Sequence, residues 1–185
     1  MNLKSIITVM ALILIMFMAA IETSIISLAL PTIKNSLNAG NLVSLVFTVY
    51  FIALVIANPI VGELMSRFKI INIAVVGVSL FALGSLMSGL SQTFTFLIIS
   101  RIVQGFGAGV MMSLSQIVPK LAFEIPLRYK IMGIVGSVWG ISSIIGPLLG
   151  GAILEFASWH WLFYINIPIA ILAIILVFMT FHFPD

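Results

Sequence analysis

The chain has 185 residues, of which 62% are hydrophobic and 7% charged, with a mean hydropathy of +1.32. A water-soluble globule could not cover its surface from such a composition, so the expectation is an all-α polytopic membrane protein. Eight basic against five acidic residues give a net charge of +3, too scattered for a nucleic-acid footprint, and the lack of cysteine excludes disulfide frameworks and thiolate metal or redox chemistry.

A bilayer core about 30 Å thick needs roughly 20 helical residues, and six stretches supply them: 5–30, 41–62, 70–90, 94–118, 130–154 and 161–181. Span one opens with Lys4 ahead of an apolar run, as a secretory signal would. The run continues through Leu30, interrupted only by Glu22 and small hydroxyl residues, longer than a signal core of about 7–15 residues, which predicts a retained span. Short connections rich in proline, glycine or charge punctuate the spans: "PTIKNSLNAG", "ELMSRFK", "SQTF", "PKLAFEIPLRY" and "EFASWH". Residues 1–185 therefore read as one transmembrane domain without a soluble appendage.

Six spans put both termini on one side of the membrane. Lys4, Arg67, Lys69, Lys120, Arg128 and Lys130 fall on that side and Lys34 alone on the other, so the positive-inside rule predicts a multi-pass protein of the cell membrane with cytoplasmic termini. The aromatic cluster "WHWLFY", Trp159 to Tyr164, is then expected at the outer interface.

Two charges fall inside spans. Arg101 lies about seven residues from the outer start of span four and Glu22 about eight from the outer end of span one, which at 1.5 Å per residue is roughly 10 and 12 Å of depth. Each costs about 2.5–3.5 kcal/mol on insertion scales, a penalty that pairing or a watery cavity reduces. One expectation is a pair, direct or through water, able to couple proton movement to transport. The other is an arginine that bonds helix carbonyls or snorkels outward, with a protonated, inert Glu22. Gln104, one turn after Arg101, either joins that network or bonds a neighbouring helix.

Span five, "IMGIVGSVWGISSIIGPLLGGAIL", carries small residues at Gly133, Gly136, Gly140, Ser143, Gly146, Gly150 and Gly151. Gly136, Gly140, Ser143, Pro147 and Gly151 recur at three- or four-residue steps on one helix face, which favours close helix approach. Pro147 removes a backbone bond to Ser143 and is expected to bend the span. The stripe reads either as a packing seam or as a bending seam between two moving bundles.

Four motifs then carry a resemblance: "ETSIISLALPTI" from Glu22, "RIVQGFGAG" from Arg101, "GISSIIGPLLGG" from Gly140 and "WHWLFYINIPIA" from Trp159. In this order they resemble the fourteen-span drug:proton antiporter branch, of multidrug resistance type, of the major facilitator superfamily, and they account for its first six spans only. Glu22 stands where that signature usually has aspartate, and His160 where it has arginine. The resemblance links Arg101 to proton coupling and gives Gly136, Gly140, Gly146, Pro147, Gly150 and Gly151 an antiporter-motif role in packing and gating. In "GELMSRFKII" the residues Gly62, Leu64 and Arg67 fit the family's cytoplasmic latch loop, while Ser66 replaces its aspartate and Lys69, Ile70 and Ile71 also depart from it.

The remaining polar residues point less sharply. Asn58 and Pro59 are expected to kink span two, and His160 and His182 to be solvated or lipid-facing. Methionines and phenylalanines offer lining for a greasy cargo cavity, although most must face lipid or other helices. No phosphate-binding loop, metal-ligand cluster or nucleophile–base spacing points to an enzyme, a cofactor or a metal. The function expected is half of a transporter resembling proton-coupled multidrug efflux antiporters, with Glu22, Arg101 and Gln104 in proton coupling and Gly62 and Arg67 in the loop gate. Its partners would be the lipid bilayer, protons and hydrophobic small molecules, cations among them, and a second copy or a separately encoded second half. The alternatives are a truncated chain that transports nothing, for which the abrupt ending "FMTFHFPD" speaks, and a membrane-embedded interaction subunit.

Overall fold

The computed structural model describes residues 3–37 and 40–180; Phe181 and His182 lie outside them. Helix α1 spans Leu3–Leu37, α2 Leu45–Met65, α3 Ile70–Gly89, α4 Phe94–Ala122, α5 Leu127–Phe156, α6 Trp161–Tyr164 and α7 Asn166–Thr180. Six membrane-length helical segments result, because α6 and α7 together form the sixth span.

The helices outrun the apolar windows at several ends. Helix α1 continues past Leu30 through Pro31 to Leu37, and α4 runs to Ala122 rather than stopping at Val118. Apolar runs mark what must lie in hydrocarbon, whereas backbone hydrogen bonding carries a helix on into the headgroup region, where lysine and asparagine are tolerated. After α1 the chain turns through Gly40, whose φ of 60° is the left-handed conformation that suits glycine, into a 3-10 turn over Gly40–Ser44. Helix α4 starts sharply because the Thr93 hydroxyl accepts the Phe96 backbone N–H at 3.2 Å.

Span six is interrupted at Ile165. Pro168 has no N–H for the Tyr164 carbonyl, four residues back, so the α6 ladder cannot run on unbroken; in the first turn of α7 the same proline is harmless. The aromatic cluster packs partly into the bundle. Trp159, Leu162 and Phe163 are buried and only Trp161 is well exposed, because the Tyr164 hydroxyl donates to the Gly89 carbonyl at 2.8 Å and pulls α6 onto the end of α3. His160 is half-buried rather than lipid-facing: its ring stacks on Trp159 at 3.8 Å and its Nε2 lies 3.0 Å from the Ser91 carbonyl oxygen.

Helix α4 packs between α2 and α3, α1 packs between α5 and α7, and α1 against α4 and α3 against α7 join the two triplets. Glycines permit the closest of these approaches. A Cβ on Gly107 would stand 2.9 Å from the Phe81 Cα of α3, and one on Gly109 would stand 2.6 Å from the Ala57 Cβ of α2. Among the described residues the tightest glycine packing therefore involves "RIVQGFGAG", read from sequence as charge chemistry. In α5 only Gly146 and Gly150 meet another helix, at Ser24, Ile25 and Leu28 of α1. Gly133, Gly136, Gly140 and Gly151 face open space.

Both interior prolines expected to bend or kink their spans lie within unbroken helices, Pro59 in α2 and Pro147 in α5. Asn58 accepts a hydrogen bond at 2.7 Å from the Ser113 hydroxyl of α4, which ties these helices together.

Two alanine substitutions separate the two kinds of glycine. Gly107→Ala should destabilise by about 1–3 kcal/mol through overpacking against α3 backbone, whereas Gly133→Ala should be neutral or gain up to about 1 kcal/mol from helix propensity. Thermal unfolding in detergent reads both.

Candidate functional site

The site is assembled from five spans, the first, second, third, fourth and sixth. Glu22 of α1 and Arg101 of α4 form a direct ion pair, Arg101 Nη1 donating to Glu22 Oε1, with 1% and 0% of their side chains exposed. Arg101 is the largest fully buried side chain of the described residues. Its Nε donates to the Val46 carbonyl of α2 at 3.0 Å, and Nη1 also donates to Gln104 Oε1 at 2.8 Å. Its guanidinium carbon lies 4.2 Å from the centre of the Tyr50 ring and 5.7 Å from that of Phe163, where the negative face of each ring favours a cation. Of the contacts expected for Gln104, this geometry gives the one to the arginine.

Glu22 is held on its other oxygen as well. Asn166 of α7 donates through Nδ2 to Glu22 Oε2 at 2.9 Å and to the Ser85 hydroxyl of α3, also at 2.9 Å; Ser85 in turn donates to the Phe163 carbonyl at 2.6 Å. The carboxylate thus takes a guanidinium on one oxygen and a carboxamide on the other, with no surface exposed to lipid. Three polar atoms of this cluster, Arg101 Nη2, Gln104 Nε2 and Asn166 Oδ1, make no hydrogen bond within the protein.

Sequence reasoning found Glu22, Arg101 and Gln104 but passed over Tyr50, Ser85 and Asn166. Asn166 carried a usable signal, since a carboxamide in the apolar stretch "YINIPIA" needs a hydrogen-bonding partner on a neighbouring helix. Tyr50 and Ser85 gave none, because a tyrosine or a small serine inside an apolar span commonly serves helix packing.

The other residues singled out lie elsewhere. Gly146 and Gly150 are buried against α1, whereas Gly136, Gly140, Pro147 and Gly151 are exposed on the outer face of α5. Gly62 is exposed at the far end of α2, and Arg67 pairs with Glu63 one turn before it at 3.1 Å, with both side chains more than two-thirds exposed. Such a pair contributes about 0–1 kcal/mol.

A buried pair broken from one side leaves the other charge stranded, at a cost of about 3–5 kcal/mol. Arg101→Leu and Glu22→Leu should therefore each lower stability sharply, while the double variant should recover a large part of the loss. A double-mutant cycle by thermal unfolding in detergent measures this, and simple addition of the two losses would refute direct pairing.

The chain is 82% identical over its full 185 residues to the multidrug efflux pump SdrM of Staphylococcus aureus strain N315, of which it covers 41%. Over 174 residues it is 33% identical to the multidrug transporter protein MdtP of Bacillus subtilis strain 168, covering 94% of the chain and 32% of MdtP. The chain thus spans less than half the length of these relatives. Its fold superposes with a TM-score of 0.82 on the crystal structure of a D-xylose-proton symporter at 16% identity, covering 95% of the chain and 48% of the symporter; at that identity the likeness is one of fold alone. The sequence pattern of the Major Facilitator Superfamily matches residues 12–185, and this chain, six membrane-spanning helices forming one half of the superfamily's fold, belongs to that family.

Proposed function

We propose that this bundle is one half of a proton-coupled multidrug exporter of the cell membrane, with Glu22 as the carboxyl that exchanges protons and Arg101 as its counter-charge. The observation that carries this reading is the ion pair itself. A charge pair sealed among α1, α2, α4 and α7 is costly to keep in a bilayer, and ionisable groups there are functional by default. Protonating Glu22 removes one member of the pair and leaves Arg101 held by the Val46 carbonyl, Gln104 and the Tyr50 ring. The relative packing of α1 and α4 then has two electrostatic states, and a transporter needs a two-state element of this kind.

The outer faces of α2 and α5 receive the second bundle in this account. These two spans are among the least covered of the six, and on α5 the open face carries Gly136, Gly140, Ser143, Pro147 and Gly151. Small residues there leave room for a helix to approach and slide. A partner bundle comes from further chain, a second copy or a separate protein. The cargo is hydrophobic, in keeping with the multidrug efflux named for SdrM, and Gly62 and Arg67 flank the cytoplasmic gate. The distribution of Lys4, Arg67, Lys69, Lys120, Arg128 and Lys130 supports cytoplasmic termini.

Export is tested with a chimaera in which this chain replaces the aligned part of SdrM, alongside cells expressing the chain alone. The chimaera should lower the retention of a cationic dye, and Glu22→Gln should reduce export at least tenfold and abolish its dependence on the proton gradient. Equal retention by the chimaera, its Glu22→Gln variant and empty cells would refute the proposal.

A further inference from the structure

The break in span six sits against the ion pair, and one carboxamide touches both. Asn166 is the first residue of α7, immediately after the break at Ile165. Its Nδ2 donates to Glu22 Oε2 and to Ser85 Oγ, both at 2.9 Å, and Ser85 donates to the Phe163 carbonyl inside α6 at 2.6 Å. A continuous hydrogen-bonded line therefore runs from the carboxylate of span one, through Asn166 and Ser85, to the backbone on the other side of the break.

The orientation of that line is set by the charge on Glu22. An ionised carboxylate only accepts, so Asn166 must offer it N–H, and its Oδ1 is turned away, where it makes no hydrogen bond within the protein. A protonated carboxyl instead carries an O–H that needs an acceptor. The acceptor within reach on that side is the same carboxamide rotated by half a turn. With the carboxamide so rotated, Oδ1 also faces Ser85 in place of N–H, and the serine proton has a choice between Oδ1 and the Phe163 carbonyl.

We propose that Asn166 is a positioning residue that reads the protonation state of Glu22 and passes it to the span-six break. When a proton from water settles on Glu22 Oε2, the Asn166 carboxamide turns, Ser85 redirects its hydroxyl hydrogen to Asn166 Oδ1, and the Phe163 carbonyl is released. Loss of the proton reverses each exchange, and no covalent bond other than the O–H of Glu22 forms or breaks. The unsatisfied Oδ1 of the sealed state is the acceptor kept for the protonated one. Of the groups packed around Glu22, Arg101 of α4 is charged and Tyr50 of α2 is titratable; α3 and α7 present the neutral Ser85 and Asn166, and α5 meets this stretch of α1 with Gly146 and Gly150. Tyr50 donates its own hydroxyl proton to the Ala19 carbonyl, and the Gln104 carboxamide is engaged by Arg101 Nη1, the nitrogen that holds Glu22 Oε1, so beside Oε2 Asn166 is the carboxamide that presents either a donor or an acceptor.

The inference rests on Glu22 exchanging protons, and the experiment separates the two. The full chain is reconstituted in lipid vesicles with asparagine labelled at the side-chain carbonyl carbon, and infrared difference spectra are recorded between neutral and acidic buffer. A protonated-carboxyl band that disappears in Glu22→Gln reports the proton. A labelled carboxamide band that disappears in Asn166→Leu reports the amide. The expected result is that the carboxamide band shifts together with the appearance of the carboxyl band, and that neither change occurs in Glu22→Gln. In Asn166→Leu the carboxyl band should move to higher wavenumber, since the protonated acid has lost its acceptor; Asn166→Gln provides a milder variant should the leucine protein misfold. A carboxyl band that appears while the carboxamide band stays still overturns this inference and leaves proton exchange standing. Absence of any carboxyl band across the pH range overturns both.

Discussion

A guanidinium buried in apolar surroundings dictates much of this bundle. Once Arg101 lies within the membrane, some group must offset its charge and others must accept its N–H bonds, and the chain meets these demands with Glu22, Gln104 and the Val46 carbonyl drawn from three helices. The price is a fixed geometry. Helix α4 has to sit within hydrogen-bonding distance of both α1 and α2, which small residues make attainable: Gly105 lies directly against the Tyr50 carbonyl, one turn after Val46. The glycines that follow Arg101 are therefore part of the same arrangement as the charge. They bring the helices close enough for long polar side chains to pair rather than snorkel.

That arrangement divides the surface into two kinds. Around the pair, packing is dense and side chains such as Phe81, Phe163, Ile21 and Ile25 are fully buried. The outward face of α5 carries glycines with nothing beside them, which in lipid is a face open to another helix. An interior locked by charge thus lies next to an exterior on which exposed glycines alternate with exposed aliphatic side chains such as Ile144 and Leu148.

Membrane insertion, six spans and an all-helical fold were legible because hydrocarbon leaves few choices for an uncharged run of about 20 residues. The matched depths of Glu22 and Arg101 were legible for the same reason, since rise per residue fixes depth once span ends are known. Direction was not. Whether Gly136 or Gly146 faces a neighbour depends on the rotation of α5 about its axis, which a continuous apolar composition does not encode when lipid and protein neighbours are equally apolar. The same ambiguity hid Tyr50 and Ser85, whose hydroxyls acquire meaning only beside a charge. Burial of Trp159 was equally hidden, because it depends on the Tyr164–Gly89 hydrogen bond that docks α6 onto α3.

The central claim is that the carboxylate of Glu22 and the guanidinium of Arg101 touch directly inside the bilayer. Solid-state NMR on the chain in lipid vesicles, with carbon-13 at the glutamate carboxyl and nitrogen-15 in the arginine guanidinium, measures that separation through dipolar dephasing. The account predicts strong dephasing of a Glu22 signal at neutral pH, as for hydrogen-bonded partners, and its loss in Arg101→Lys, which lacks the labelled guanidinium. A Glu22 carboxyl signal with no dephasing from any arginine nitrogen would contradict it.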